Sequence, residues 1–294
     1  MSYLVNRKYL GVLAVLFASI MWAIEPIFAK LSYQTADFLQ TSAIRAIFAA
    51  LTGLIYIVLT KKPCFRINKQ QFSTLVYIAI VGVLFADLMY FFALTQVPVI
   101  NAVLIGHMQP IFIILIGFLA LKQDKLTIFD YIGILFMLLS GVLVTTKTLE
   151  NLAMFKLGSF GDLLVLSATI AWATTAIAMR KYLKDMNAGL ITWYRFFFAA
   201  LFFVIYLMAT STISISNIYQ IVIGVVAGIG TILYYEGLKR IKAVQVSGLE
   251  LSTPFFAALL GFFILGETVT AMQIVGIFLL FVGIYYISKR EDRN

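Results

Sequence analysis

Ser247–Glu267, SGLELSTPFFAALLGFFILGE, decides how this chain is to be read. The run is apolar and long enough to sit in lipid, which takes about 20 residues, yet it carries a carboxylate at Glu250 and a proline at Pro254. A charge at membrane depth is costly, and a proline leaves a backbone carbonyl without its helical partner. Such a segment must face protein or a water-filled cavity. Gly106–Gln123, GHMQPIFIILIGFLALKQ, echoes it, with Pro110 followed by Gly117 as Pro254 is followed by Gly261. The echo predicts that something in the chain occurs twice.

The composition sets the class. Of 294 residues, 62% are hydrophobic and only 12% charged, about half the charge of an average soluble protein. This is the signature of an all-α integral membrane protein forming one membrane domain, with no stretch polar enough for a soluble one. The net charge of +9 sits in short loops, where positive-inside bias accounts for it, so no nucleic-acid partner is expected. Cys64 is the only cysteine and has no partner for an internal disulfide. His107 is the only histidine, and one histidine cannot build a metal site, so neither metal nor cofactor is expected. The first run follows Arg7 and Lys8 but is too long for a signal-peptide core, and it is read as a retained span.

Apolar runs between polar breaks predict ten transmembrane helices, at 9–28, 38–60, 72–94, 100–121, 128–146, 160–178, 188–210, 218–238, 244–265 and 271–288. Arg7, Lys8, Lys61, Lys62, Arg66, Lys69, Lys122, Lys125, Arg180, Lys181, Lys184, Lys239, Arg240, Lys242, Lys289, Arg290 and Arg293 then fall on one side. The other side holds only Lys30, Lys147 and Lys156. By the positive-inside rule both termini are cytoplasmic in the inner membrane, which requires an even number of spans.

Repetition is specific. A shift of 150 lays ATIAWA on ASIMWA, putting Trp172 on Trp22, Arg195 on Arg45 and Tyr206 on Tyr56. A shift of 144 puts Tyr234 on Tyr90, Leu238 on Leu94 and Pro254 on Pro110, and one of 143 puts Gly276 on Gly133. The chain thus divides into a five-helix repeat at 1–147 and a second at 157–290. Five is odd, so the second copy enters from the opposite face and the ten helices form two inverted five-helix repeats. Secondary transporters are built this way, with substrate bound near the midplane between rocking halves.

The ten spans, the tryptophan of each copy's first helix, the arginine of each second helix, and the Pro, Gly and Leu265–Gly266–Glu267 pattern before the last span resemble the drug/metabolite transporter superfamily, in particular its EamA-type permeases. The resemblance covers essentially the whole chain. It implies an exporter of amino acids or related metabolites, with the last helix of each repeat outside the cavity and available for a homodimer. The first copy departs from the pattern, reading Leu121, Lys122 and Gln123, so a role for Glu267 at the outer face does not carry over to Gln123.

Seven ionisable side chains of Asp, Glu, Arg and His fall inside spans rather than at their ends. Glu25, Arg45, Asp87 and His107 lie in the outer half by depth, and Arg195, Glu236 and Glu250 in the inner half. Unpaired charges in hydrocarbon cost roughly 3 kcal/mol or more, so each group is expected to close on itself, as coupling or gating clusters at the two faces. Plainer readings stand beside this one. The arginines are near enough to the span ends to snorkel, Glu236 is within a turn of Lys239 and Arg240, and His107 can be a packing residue. The candidate cavity residues are Trp22, Tyr90, His107, Trp172, Tyr234 and Glu250, where mid-span aromatics suit either cavity walls or helix packing. Pro110 and Pro254 are candidate helix breaks that expose carbonyls, or kinks needed for packing.

The sequence therefore predicts a secondary transporter, not an enzyme. It is expected to move a small amphipathic or cationic metabolite across the lipid bilayer by alternating access, and Asp87 and Glu250 permit proton coupling. An integral membrane enzyme acting on a lipid, or a carrier of lipid-linked sugars or polyamines on the same fold, are the alternatives. No GxxxxGK[ST] loop is present to make ATP the direct driver.

Overall fold

The computed structural model describes residues 2–60, 67–119, 127–156, 158–183, 185–210, 213–241, 246, 249–250 and 252–291. Cys64 and Leu121–Gln123 lie outside them. The described residues are helical and contain no strand. In chain order the helices are α1 (Ser2–Ser32), α2 (Phe38–Leu59), α3 (Lys69–Ala93), α4 (Val99–Gly106), α5 (Gln109–Leu119), α6 (Ile128–Thr146), α7 (Leu149–Ala153), α8 (Phe160–Tyr182), α9 (Ala188–Thr210), α10 (Ile218–Leu238), α11 (Ser252–Leu265) and α12 (Ala271–Glu291).

Eight candidate spans, with α4 and α5 counted together, are long and apolar enough to cross a membrane, and the protein is a multi-pass membrane protein. The apolar helices at Ser252–Leu265 and Ala271–Tyr286 are shorter. The ninth run was expected to begin at Val244. Of its first part, Val246, Leu249 and Glu250 are described and helical, and the helix described from Ser252 to Leu265 carries Pro254 in its first turn.

Helix starts are set by local chemistry. Asp37, Asn68, Thr127, Ser159 and Asn217 each accept a hydrogen bond from a backbone N–H in the first turn they precede. The helix at Val99 is the exception, because Pro98 stands at its N-cap and offers no side-chain acceptor. Its cap comes from Glu267, whose carboxylate accepts the Val99 N–H at 2.9 and 3.0 Å and the Lys30 ammonium at 2.9 Å. Gly266 makes this possible: at φ +66° it turns the chain back after α11, a conformation costly for any residue with a Cβ.

Packing runs between the two halves. α1 lies along α10 as α8 lies along α3, α2 meets α9, α2 lies on α10 as α9 lies on α3, and α6 lies along α12. Small residues allow close approach where lipid gives no hydrophobic drive to association. A Cβ on Gly224 would sit 2.7 Å from the Arg45 carbonyl, and one on Gly53 would sit 2.7 Å from the Trp193 nitrogen. These crossings bring α1, α2, α3, α8, α9 and α10 around a common centre.

Candidate functional site

That centre is a cavity of about 220 Å³. It is smaller than the roughly 300–1,000 Å³ of typical drug sites and suits a metabolite. Trp22, Glu25, Arg45, Asp87, Tyr90, His107, Pro110, Trp172, Arg195, Tyr234 and Glu250 all line it. The structure therefore brings together every residue named from the sequence except Glu236 and Pro254. Pro254 is buried next to Thr253, which lines the cavity.

The charges are ordered differently from the two-cluster expectation. Arg45 donates from Nε to Glu25 Oε1 at 2.5 Å and from Nη1 to Asp87 Oδ2 at 2.9 Å, while its guanidinium lies over Phe91 and Phe196 at 4.7 and 5.2 Å. Arg195, counted to the opposite half by depth, reaches the other oxygen of the same carboxylate, with Nη2 3.5 Å from Asp87 Oδ1. Asp87 thus joins both arginines into one network of two cations and two anions. Counting residues from the helix ends missed this because it ignores an arginine's long side chain, which here extends toward the middle of the bundle. Glu236 takes no part. It pairs with Lys239 at 3.4 Å and Arg240 at 2.5 Å on its own helix end, the interfacial arrangement. Glu250 is the odd charge: among the described residues, no arginine or lysine nitrogen lies within 4.0 Å of its carboxylate.

α3 shapes the site through its backbone. Ile78–Asp87 is a π-helical segment, a form concentrated at functional sites. Trp172 Nε1 lies 3.3 Å from the Gly82 carbonyl inside it and donates to Asp87 Oδ1 at 2.8 Å. His107 hydrogen-bonds the Val103 carbonyl at 2.7 Å.

The aromatic rings form two matching pairs across the halves. Trp22 meets Tyr234 with centroids 5.1 Å apart and planes at 51°, and Trp172 meets Tyr90 at 5.3 Å and 53°. The charges do not match. The shifts of 150 and 144 place Thr175 against Glu25, Thr231 against Asp87 and Gly106 against Glu250. One pair of walls therefore borders the arginine network and the other borders Glu250.

Sequence reasoning missed Pro26, Thr253, Phe91 and Phe196, and it gave the last helix no part, although its buried Ile284 also reaches the cavity. A signal for Pro26 was present. Trp22, Gly106 and Glu250 each stand four residues before a proline, Pro26, Pro110 and Pro254. Each proline withholds the N–H that would serve the carbonyl four residues earlier. All three of those earlier residues line the cavity.

With this geometry in place, the comparison with known proteins is specific. The sequence profile of the EamA-like transporter family matches residues 9–146 and again residues 159–289. The chain belongs to that family. Among its relatives is YyaM of Bacillus subtilis (strain 168), described as an uncharacterized transporter and 26% identical over 263 residues, covering 83% of this chain and 82% of YyaM. An uncharacterized transporter of Clostridium kluyveri is 23% identical over 300 residues, covering 97% and 95%. A protein of solved crystal structure superposes with a TM-score of 0.68 at 16% identity, covering 96% of this chain and 98% of the other, a likeness of fold. As an EamA-like transporter, the chain is a membrane transporter whose cavity is the candidate route.

Proposed function

We propose that this EamA-like protein is a secondary transporter that moves a small amphipathic or cationic metabolite across the cytoplasmic membrane by alternating access. The observation that carries the reading is the shared cavity, lined from both halves by two like aromatic pairs and crossed by the Glu25–Arg45–Asp87–Arg195 network. Ten helices in two inverted five-helix repeats are supported by the double profile match and by helix contacts that recur with the halves exchanged. Such repeats rock about a midplane site. The bias of lysine and arginine supports cytoplasmic termini. The family resemblance supports export, and the cavity carboxylates are the groups a proton-coupled cycle would use.

In this cycle the network is the moving part. Arg195 and Arg45 come from opposite halves and share Asp87, so separating the halves must lengthen the Arg195–Asp87 contact, already the longest of the three at 3.5 Å. The test is reconstitution in liposomes with counterflow of a labelled amino-acid and amine panel across a pH gradient. Saturable uptake of any solute is expected. If no solute moves while a co-reconstituted lipid is altered, the transporter reading fails and the membrane-enzyme alternative replaces it.

A further inference from the structure

The cavity is unequally furnished with hydrogen-bonding groups, and the imbalance selects a ligand. Its two arginines are already matched by Glu25 and Asp87. Glu250 is left over, with the field of Arg180 reaching it but no ion-pair contact. Three residues on, Thr253 is 1% exposed, lines the same cavity, and its Oγ1 is buried with no hydrogen-bond partner among the described residues. The helical partners of the Gly106 and Trp22 carbonyls are removed by Pro110 and Pro26, while the Glu250 carbonyl, which Pro254 leaves without its helical partner, is met by the His107 ring. This part of the cavity therefore joins the Glu250 carboxylate and the Thr253 hydroxyl to two carbonyls that lack their helical partners.

An aromatic surface stands beside it. Ser19 Oγ lies 3.4 Å from the Leu249 carbonyl, which brings α1 against the Glu250 segment one turn from Trp22, and Trp22 lies tilted against Tyr234. A buried carboxylate takes up either a proton or a counter-charge, and an ammonium supplies the second; ammonium groups carry three donors and no acceptor, and indole and phenol faces attract cations.

Resting on the transporter reading, we infer that the cavity selects a monocationic primary amine with an aromatic or apolar body. The ammonium is held by the Glu250 carboxylate, Thr253 Oγ1 and the Trp22 and Gly106 carbonyls, and the body lies against Trp22 and Tyr234. The competing class is the zwitterionic amino acid. Arg195 Nε, buried with no hydrogen-bond partner among the described residues, is the donor its carboxylate would seek. Arg195 is already on Asp87, however, and a second carboxylate there would meet the charge of the first.

Phenethylamine and phenylalanine share their ring and amine and differ by one carboxylate, so they separate the two classes. Binding of labelled phenethylamine to the purified full-length protein is measured with each unlabelled compound as competitor. Phenethylamine is expected to compete at about tenfold lower concentration or better, as burial of an unpaired carboxylate demands. In Glu250→Gln that ratio is expected to collapse, and Thr253→Val to weaken the amine alone, each variant first shown to match the parent by size-exclusion profile and melting temperature. Equal or stronger competition by phenylalanine, or a ratio unchanged in both variants, overturns the inference. So does failure of phenethylamine to bind, while counterflow of any other solute would leave the transporter reading standing.

Discussion

Arg45→Met isolates the centre of the charge network. Arg45 is 5% exposed and holds Glu25 and Asp87 through separate nitrogens. Methionine keeps an unbranched apolar stem and removes the charge, leaving two buried carboxylates with one cation in ion-pair contact, Arg195 at 3.5 Å from Asp87, which also keeps its hydrogen bond from Trp172. Breaking a buried pair by removing one partner costs about 3–5 kcal/mol, mostly from the charge left behind. At roughly 2–4 °C per kcal/mol, the melting temperature in detergent should fall on the order of 10 °C. The companion variant decides the cause. Adding Glu25→Gln to Arg45→Met deletes one of the stranded charges and should recover about 1–3 kcal/mol, the coupling usual for residues in one network. Thermal unfolding followed by size-exclusion chromatography reads both. A melting temperature for Arg45→Met indistinguishable from the parent, or a further loss in the double variant, would refute the network as drawn.

The remaining predictions follow from other contacts. Trp172→Phe keeps the ring pair with Tyr90 but deletes the 2.8 Å bond to Asp87, and should cost about 1.5–3 kcal/mol. Trp22→Phe, for which the second half offers Thr231 where the first offers Asp87 to Trp172, should cost measurably less in the same melt. Glu267→Ala removes the cap on Val99 and the Lys30 pair. Hydrogen–deuterium exchange over 99–106 should accelerate, and unchanged protection would show that the cap does not hold this helix. Glu236→Gln keeps an acceptor for the Tyr56 hydroxyl and weakens two partly exposed ion pairs at a helix end, so it should shift stability by about 1 kcal/mol or less and leave counterflow unaltered. A loss of counterflow would restore Glu236 to a gate.

Much of this arrangement is legible in the sequence, for physical reasons that differ by residue. The Trp22/Trp172 and Tyr90/Tyr234 correspondences are visible because the same residues recur at constant shifts of 150 and 144, and the structure pairs each tryptophan with the tyrosine of the other half. Glu236 was readable from Lys239 and Arg240, since pairs three and four apart meet on a helix. Arg195 was misplaced because partner choice depends on side-chain reach and helix crossing, which no count along one chain contains. The π-helical Ile78–Asp87 left no sequence signal that was recognised; its place is fixed by contacts from α8 and α9. Thr253 was hidden for another reason, because an ordinary threonine becomes informative only when its hydroxyl is found buried and alone.

The cap on Val99 also bears on how the protein is made. Pro98 leaves that helix unable to finish its own first turn, and the missing acceptor, Glu267, is encoded 168 residues later. The first half thus leaves the ribosome with an unserved helix end, which another hydrogen-bond acceptor such as water must meet until Glu267 arrives. The last stretch of the chain completes the first, so a truncated product would carry an exposed defect by which quality control could recognise it.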